Sequence, residues 1–144
     1  MIALYRVPEP DPPGLSAALD PEVSQQLWNT TTHNFTPTET GSLASNEYEF
    51  YGWELVVLFH RPDFKPTGQP SFNLASFDHP PKALYLIGPD SRNLQFEDIP
   101  QHFQKLKRHY VFVPTGSLHP MFGHVVWAVV YWDRLMKLGG PAAP

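Results

Sequence analysis

The chain has 144 residues, 42% of them apolar and 17% charged, which is the composition of a folded protein and room for one domain over residues 1–144. A formal charge of −4 argues against a broad, nonspecific grip on nucleic acid, and the absence of cysteine excludes a disulfide scaffold or a thiolate metal site. No run of about 18 apolar residues is present, and no basic segment leads into an apolar one at the N-terminus, so a cytoplasmic chain without a membrane span is expected. The seven histidines lack the spacing of a metal-ligand set.

Ile2–Val7 is rich in β formers and predicts a first strand ending at Pro8, with Pro10–Pro13 as a loop. Leu15–Trp28 has room for one or two short helices, with Asp20-Pro21 as a start signal. Asn29–Asn46, rich in Thr, Ser and Asn, reads as irregular. Glu54–Phe59 is a continuous apolar run of the kind buried on both faces of a parallel sheet. His60–Pro81 carries five prolines and reads as a long loop, a lid, or a stretch hiding a short element.

Ala83–Ile87 predicts a third strand. It stops at Gly88-Pro89, and a carboxylate, a hydroxyl and a guanidinium follow at Asp90, Ser91 and Arg92. A glycine there admits unusual backbone angles or the close approach of a ligand. Open α/β sheets bind ligands beyond the carboxyl ends of their strands, so this turn is the first candidate site. Phe96–Lys107 is expected to be helical, with Pro100 in its first turn. Lys105, Lys107, Arg108 and His109, with His102 nearby, form a basic cluster that reads equally as a solvated helix end. Tyr110–Val113 predicts a fourth strand closed by Pro114-Thr115-Gly116.

Met121–Leu138 predicts a long helix, apolar at Phe122, Val125, Val126, Val129, Trp132, Leu135 and Met136, and stopped by Gly139-Gly140-Pro141. Its apolar face is too wide for one contact, which suggests a subunit interface as well as the core. Strands alternating with helices indicate an α/β fold, a mostly parallel sheet with helices on both faces.

Three segments then fall in order: Leu86-Ile-Gly-Pro-Asp90 with Arg92-Asn-Leu94 behind it, Val111-Phe-Val-Pro114, and Ser117-Leu-His119 before an apolar helix containing Val129-Val-Tyr131. This order resembles the SPOUT methyltransferases, and within them the small, single-domain SpoU-type tRNA 2′-O-methyltransferases. There, an apolar strand ends in Gly-Pro-Glu before Arg-Gly-Leu, a strand closes on Ile-Pro, and Ser-Leu-Asn precedes a Val-rich helix. The resemblance covers residues 83–142 and, more loosely, 1–13 and 54–60.

It implies a C-terminal trefoil knot, S-adenosylmethionine held by the knot loops, RNA (tRNA above all) as substrate, and a homodimer packed through the terminal helix. The cofactor-binding positions carried over are Phe59, His60, Ile87, Gly88, Pro89, Val113, Pro114 and Leu118, and the catalytic ones Asp90, Arg92, Ser117 and His119. The chain departs from the pattern at several places. Asp90 stands for the Glu, His119 for the Asn, and Asp20 falls where the loop arginine tied to catalysis is expected. Arg6, Arg61 or a histidine base would have to replace it. The alternatives are a SPOUT-fold protein that binds S-adenosylmethionine or RNA without transferring a methyl group, and an unrelated small α/β domain.

Overall fold

Four apolar runs build the centre of the structure. The computed structural model describes residues 2–8, 21–35, 41–42, 52–61, 64, 70–89, 92–116 and 122–139. In chain order the elements are β1 (Ile2–Arg6), α1 (Pro21–Phe35), β2 (Gly41–Ser42), β3 (Glu54–Phe59), β4 (Ser71–Asn73), β5 (Ala83–Ile87), β6 (Lys107–Phe112) and α2 (Gly123–Lys137). The strands form one sheet in the order β2-β1-β5-β3-β6-β4, and every pairing is parallel.

Because side chains alternate across a strand, Leu55–Phe59 of β3 and all of β5 must be largely apolar to be buried on both faces. Val56, Leu58, Tyr85, Ile87, Val111 and Val113 point to one face, where Val126, Trp127 and Val130 of α2 cover them and Trp28 of α1 packs alongside. Leu55, Val57, Phe59, Leu84, Leu86 and Tyr110 point to the other, covered by Ile99 and Phe103. The predicted α/β class and parallel sheet are therefore those of the structure, but helices do not cover both faces: α1 and α2 lie together on one, and the turns of residues 96–103 cover the other.

Three local expectations need correction, and one of the readings of the 60–81 stretch is met. Helix α1 continues to Phe35, through the Thr-rich stretch read as irregular. Trp28 docking on the core and the Gln25 Nε2 to Asn29 Oδ1 hydrogen bond outweigh the weak helix propensity of threonine. Phe96–Lys107 is not an α-helix but two 3-10 turns, Phe96–Asp98 and Gln101–Phe103. Pro100 drives Ile99 into extended backbone (φ −75°, ψ 114°) and breaks the helix there.

The 60–81 stretch hides β4 and a 3-10 turn at Leu74–Ser76, which Asn73 Oδ1 caps by accepting from the Ala75 backbone N–H. The basic cluster opens β6 rather than ending a helix. Glu54 of β3 faces it, 2.8 Å from His109 Nε2 and 3.6 Å from Lys107 Nζ.

Two devices fix α2 over the sheet. At its start Gly123 sits so close that a Cβ would lie 3.2 Å from Trp28 Cζ3 and 3.3 Å from Ile87 Cγ2. Toward its end, Asp133 and Arg134 enter a buried network with His79 and Tyr85, and Lys137 donates to the Leu74 and Phe77 carbonyls. Gly139, with φ +97°, ends the helix in the left-handed conformation, as the Gly-Gly-Pro signal predicts. The expected knot concerns the path from Tyr110 to Leu138 past the loop after Phe59, and residues 62–63, 65–69 and 117–121 of those stretches lie outside the described residues.

Candidate functional site

Parallel strands bring all their carboxyl ends to one edge, and the register aligns three of them. Val57 pairs with Leu86, so Leu58 stands level with Ile87; Phe59 pairs with Phe112. The Val113 N–H donates to the Phe59 carbonyl at 2.7 Å, extending that ladder one residue past the strand. On the far side the Val7 N–H donates to the Ile87 carbonyl at 2.8 Å. Beyond these last rungs a cleft opens.

Its apolar walls are Leu58, Phe59, Ile87 and Val113 from the strand ends, Val126 from α2, and Phe64 and Leu94 from the loops. His60, Arg61, Arg92 and Asn93 supply the polar part. Of the positions expected to bind a cofactor, Phe59, His60, Ile87, Gly88, Pro89 and Val113 line this one cleft. Pro114 follows Val113 but is exposed and not among its walls. Arg92, expected to be catalytic, is a wall residue. Leu118, Asp90, Ser117 and His119 lie outside the described residues.

Gly88 is needed for its size rather than for unusual backbone angles. The described glycines with positive φ are Gly52, Gly116 and Gly139. At Gly88 a Cβ would come within 3.3 Å of Leu94 Cβ, so the missing side chain lets the 92–95 segment fold back and form a wall. Leu94 belongs to the segment singled out in the sequence, but its seat on Gly88 is a tertiary contact with no local signature.

Arg92 does not hang loosely over this space. Its Nη1 and Nη2 donate to Asp98 Oδ2 and Oδ1 at 2.7 and 2.6 Å, and Nη1 also reaches the Asn93 carbonyl at 3.2 Å. Asp98 was not a sequence candidate, although Gln95-x-x-Asp98 has the spacing of a capping box, which the structure contains.

Of the arginines considered as substitutes, Arg61 is a wall of the cleft, whereas Arg6 projects to the helix-covered face, its guanidinium 5.1 Å from the Trp28 ring centroid. An aromatic group borders the cleft, with Phe64 stacked on Phe96 at 4.4 Å and packed against Phe59 at 5.1 Å. Trp53 packs against the core. No helix among the described residues is long and apolar enough to cross a membrane.

No family model matches the sequence, and no curated protein matches it. Four solved chains match the structure, among them the crystal structure of TrmJ from Z. mobilis ZM4. That structure superposes with a TM-score of 0.59 at 13% sequence identity, over 99% of this chain and 71% of that one. The likeness shows the architecture: this chain shares the parallel α/β fold of that structure.

Proposed function

We propose that the cleft binds S-adenosylmethionine and that the protein is an RNA ribose 2′-O-methyltransferase acting on tRNA. The observation that carries this reading is the convergence of the β3, β5 and β6 ends on one cleft. Six of the eight positions that the sequence resemblance assigns to the cofactor lie there. The fold shared with TrmJ supports it.

The residues present suit such a cofactor in kind. An adenine ring needs an apolar slot, which Ile87, Val113, Val126 and Phe59 offer, with a few polar groups to orient the rest of the molecule. When bound, S-adenosylmethionine supplies an electrophilic methyl group for an in-line displacement. The chain's part is to hold the acceptor hydroxyl in line, exclude water, and accept a proton. Arg92 and Arg61 on the wall suit the orientation of anionic groups, and His60 is the titratable wall residue nearest a base in kind. Asp90, Ser117 and His119 remain proposed catalytic positions, as Leu118 and Pro114 remain proposed cofactor contacts. A C-terminal trefoil knot, and a second copy docked on α2, belong to the same reading.

Calorimetry with S-adenosylmethionine and transfer of labelled methyl to total unmodified tRNA test it together. Wild type should bind the cofactor and label the RNA at ribose. Gly88→Val, which drives side-chain atoms into Leu94 and collapses that wall, should weaken cofactor binding about tenfold or more while the protein still folds. Absence of cofactor binding by the wild type would remove the whole reading. Binding without transfer to any RNA would leave a cofactor-binding protein in place of an enzyme.

A further inference from the structure

Phe64 is a wall of the cleft, and the ring stacked on it at 4.4 Å belongs to Phe96, which is not a wall. The pair therefore leads from the cleft to the surface beside it. Phe96 opens a 3-10 turn, and its other ring neighbour is Tyr110 of β6, 6.2 Å away and inclined at 68°. With both contacts made, Phe96 is still 40% exposed. A lone exposed phenylalanine is ordinary on a protein surface. One stacked on a partner at the rim of a cleft has its orientation fixed, and offers its remaining ring surface to solvent.

The neighbouring charge points to what would cover it. Side chains alternate along β6, so Arg108 and Tyr110 share the face on which Phe96 meets Tyr110. Arg108 donates from Nη1 to Tyr110 Oη at 3.2 Å, and from Nη2 to the Gln104 carbonyl and Oε1 at 3.4 and 2.5 Å. All three acceptors are neutral, so the guanidinium is held in place with no carboxylate bonded to it among the described residues. Of the two acids on the Phe96 turn, Asp98 is paired with Arg92, and Glu97 alone opposes an anion. A ring beside a positioned cation fits a nucleotide, the base on the ring and a phosphate on the guanidinium.

We propose that Phe96 is a stacking platform for an unpaired base of the RNA, with Arg108 on a phosphate of the same strand; the proposal rests on the RNA reading above. A nucleotide whose ribose reacts in the cleft leaves its neighbours at the rim, where Phe96 stands. Stacking accepts any base, so this contact selects single-stranded over paired RNA and not one sequence over another.

Fluorescence anisotropy at two salt concentrations tests it with a labelled RNA stem-loop, the same sequence closed into a full duplex, and stem-loops carrying an abasic nucleotide at each loop position in turn. These are titrated into wild type, Phe96→Leu, Phe96→Trp and Arg108→Gln. Wild type should prefer the stem-loop to the duplex by about tenfold or more, and an abasic nucleotide at the stacked position should cost about tenfold. Phe96→Leu keeps an apolar side chain on Phe64. It should lose about tenfold on the intact loop and nothing further on that abasic loop, while Phe96→Trp binds the loop at least as well as wild type. Arg108→Gln should weaken binding and lower the salt slope by about one.

The proposal fails if folded Phe96→Leu binds the loop as wild type does, if its loss is equal on intact and abasic loops, or if Phe96→Trp is as weak as Phe96→Leu. An unchanged salt slope in Arg108→Gln overturns the phosphate contact. Wild type that binds no RNA overturns the RNA reading along with this one; wild type that binds the stem-loop, beside an unaffected Phe96→Leu, overturns this one alone. The abasic scan needs only wild type, so a loop in which no position matters overturns the platform even where Phe96→Leu does not fold.

Discussion

His79 has a side chain wholly out of solvent and two short polar contacts, Nδ1 to Tyr85 Oη and Nε2 to Asp133 Oδ2, both 2.7 Å. The proton arrangement follows from what Tyr85 can do. Its oxygen accepts from Arg134 Nη1 at 3.0 Å, so its own proton goes to His79 Nδ1, and the imidazole keeps a single proton on Nε2 for Asp133. A second proton on Nδ1 would turn the Tyr85 hydrogen away from its acceptor. Burial accordingly lowers the His79 pKa, against the pull of Asp133, with Lys137 and Arg134 adding to the lowering, and burial pushes the Tyr85 pKa up to about 12. With the folded pKa below the unfolded one, the unfolded chain binds the proton first. The stability tied to neutral His79 is then complete above about pH 6.5 and is lost as the pH falls toward the folded value. Melting temperature should therefore drop between about pH 7 and 5, and His79→Gln should flatten part of that fall. An unchanged slope in His79→Gln would assign the loss to other groups. Tyr85→Phe strands the buried acceptor His79 Nδ1 and takes from Arg134 Nη1 one of its two acceptors, and should cost about 1–3 kcal/mol in denaturant titrations.

Helix α2 ties the site to the rest of the fold, because Gly123 touches Ile87 and Trp28 while Val126, one turn on, walls the cleft. Gly123→Val would place two methyl groups beyond a Cβ already at 3.2 Å from Trp28, and overpacking of this kind costs about 1–3 kcal/mol. Equilibrium unfolding should show that loss, with weaker cofactor binding alongside, since Ile87 and Val126 shift together. A variant as stable and as tight as wild type would mean that the helix start gives way easily. The elements most legible in the sequence were those whose own pattern decides them: β3 and β5, apolar at nearly every residue, and α2 with its Gly-Gly-Pro stop. Those that were not legible are held by partners distant in sequence. The Thr-rich end of α1 extends a helix anchored by Trp28, and β4 is a strand of three exposed residues that exists because β6 offers it an edge. Phe96–Lys107 failed as a helix at Pro100, where a local rule outweighed the apolar spacing.

For the molecule as a whole, the cleft could be anticipated because parallel topology forces strand ends together, so three motifs scattered over 59–114 had to converge. The partners of its walls could not, since Asp98 behind Arg92 and Leu94 against Gly88 are set by how loops return to the sheet. The same topology leaves one surface unexplained by a lone chain. On α2, Val126, Trp127 and Val130 face the core, while Val125, Val129, Trp132 and Met136 form a second apolar stripe facing outward, with Trp132 61% exposed. Their spacing of three and four residues places them along one side of the helix. Large apolar side chains so aligned favour burial against another surface, and a helix face can meet its own copy about a two-fold axis. The proposed dimer should therefore sediment at twice the 16.4 kDa chain mass. Trp132→Glu, which sets a charge in the middle of that stripe, should shift the equilibrium to monomer at least tenfold without lowering the far-UV helix signal. Sedimentation equilibrium over a hundredfold range of concentration measures both species. A wild type monomeric throughout would show that the stripe serves another surface. A Trp132→Glu variant that stays dimeric would place the self-contact elsewhere on the molecule.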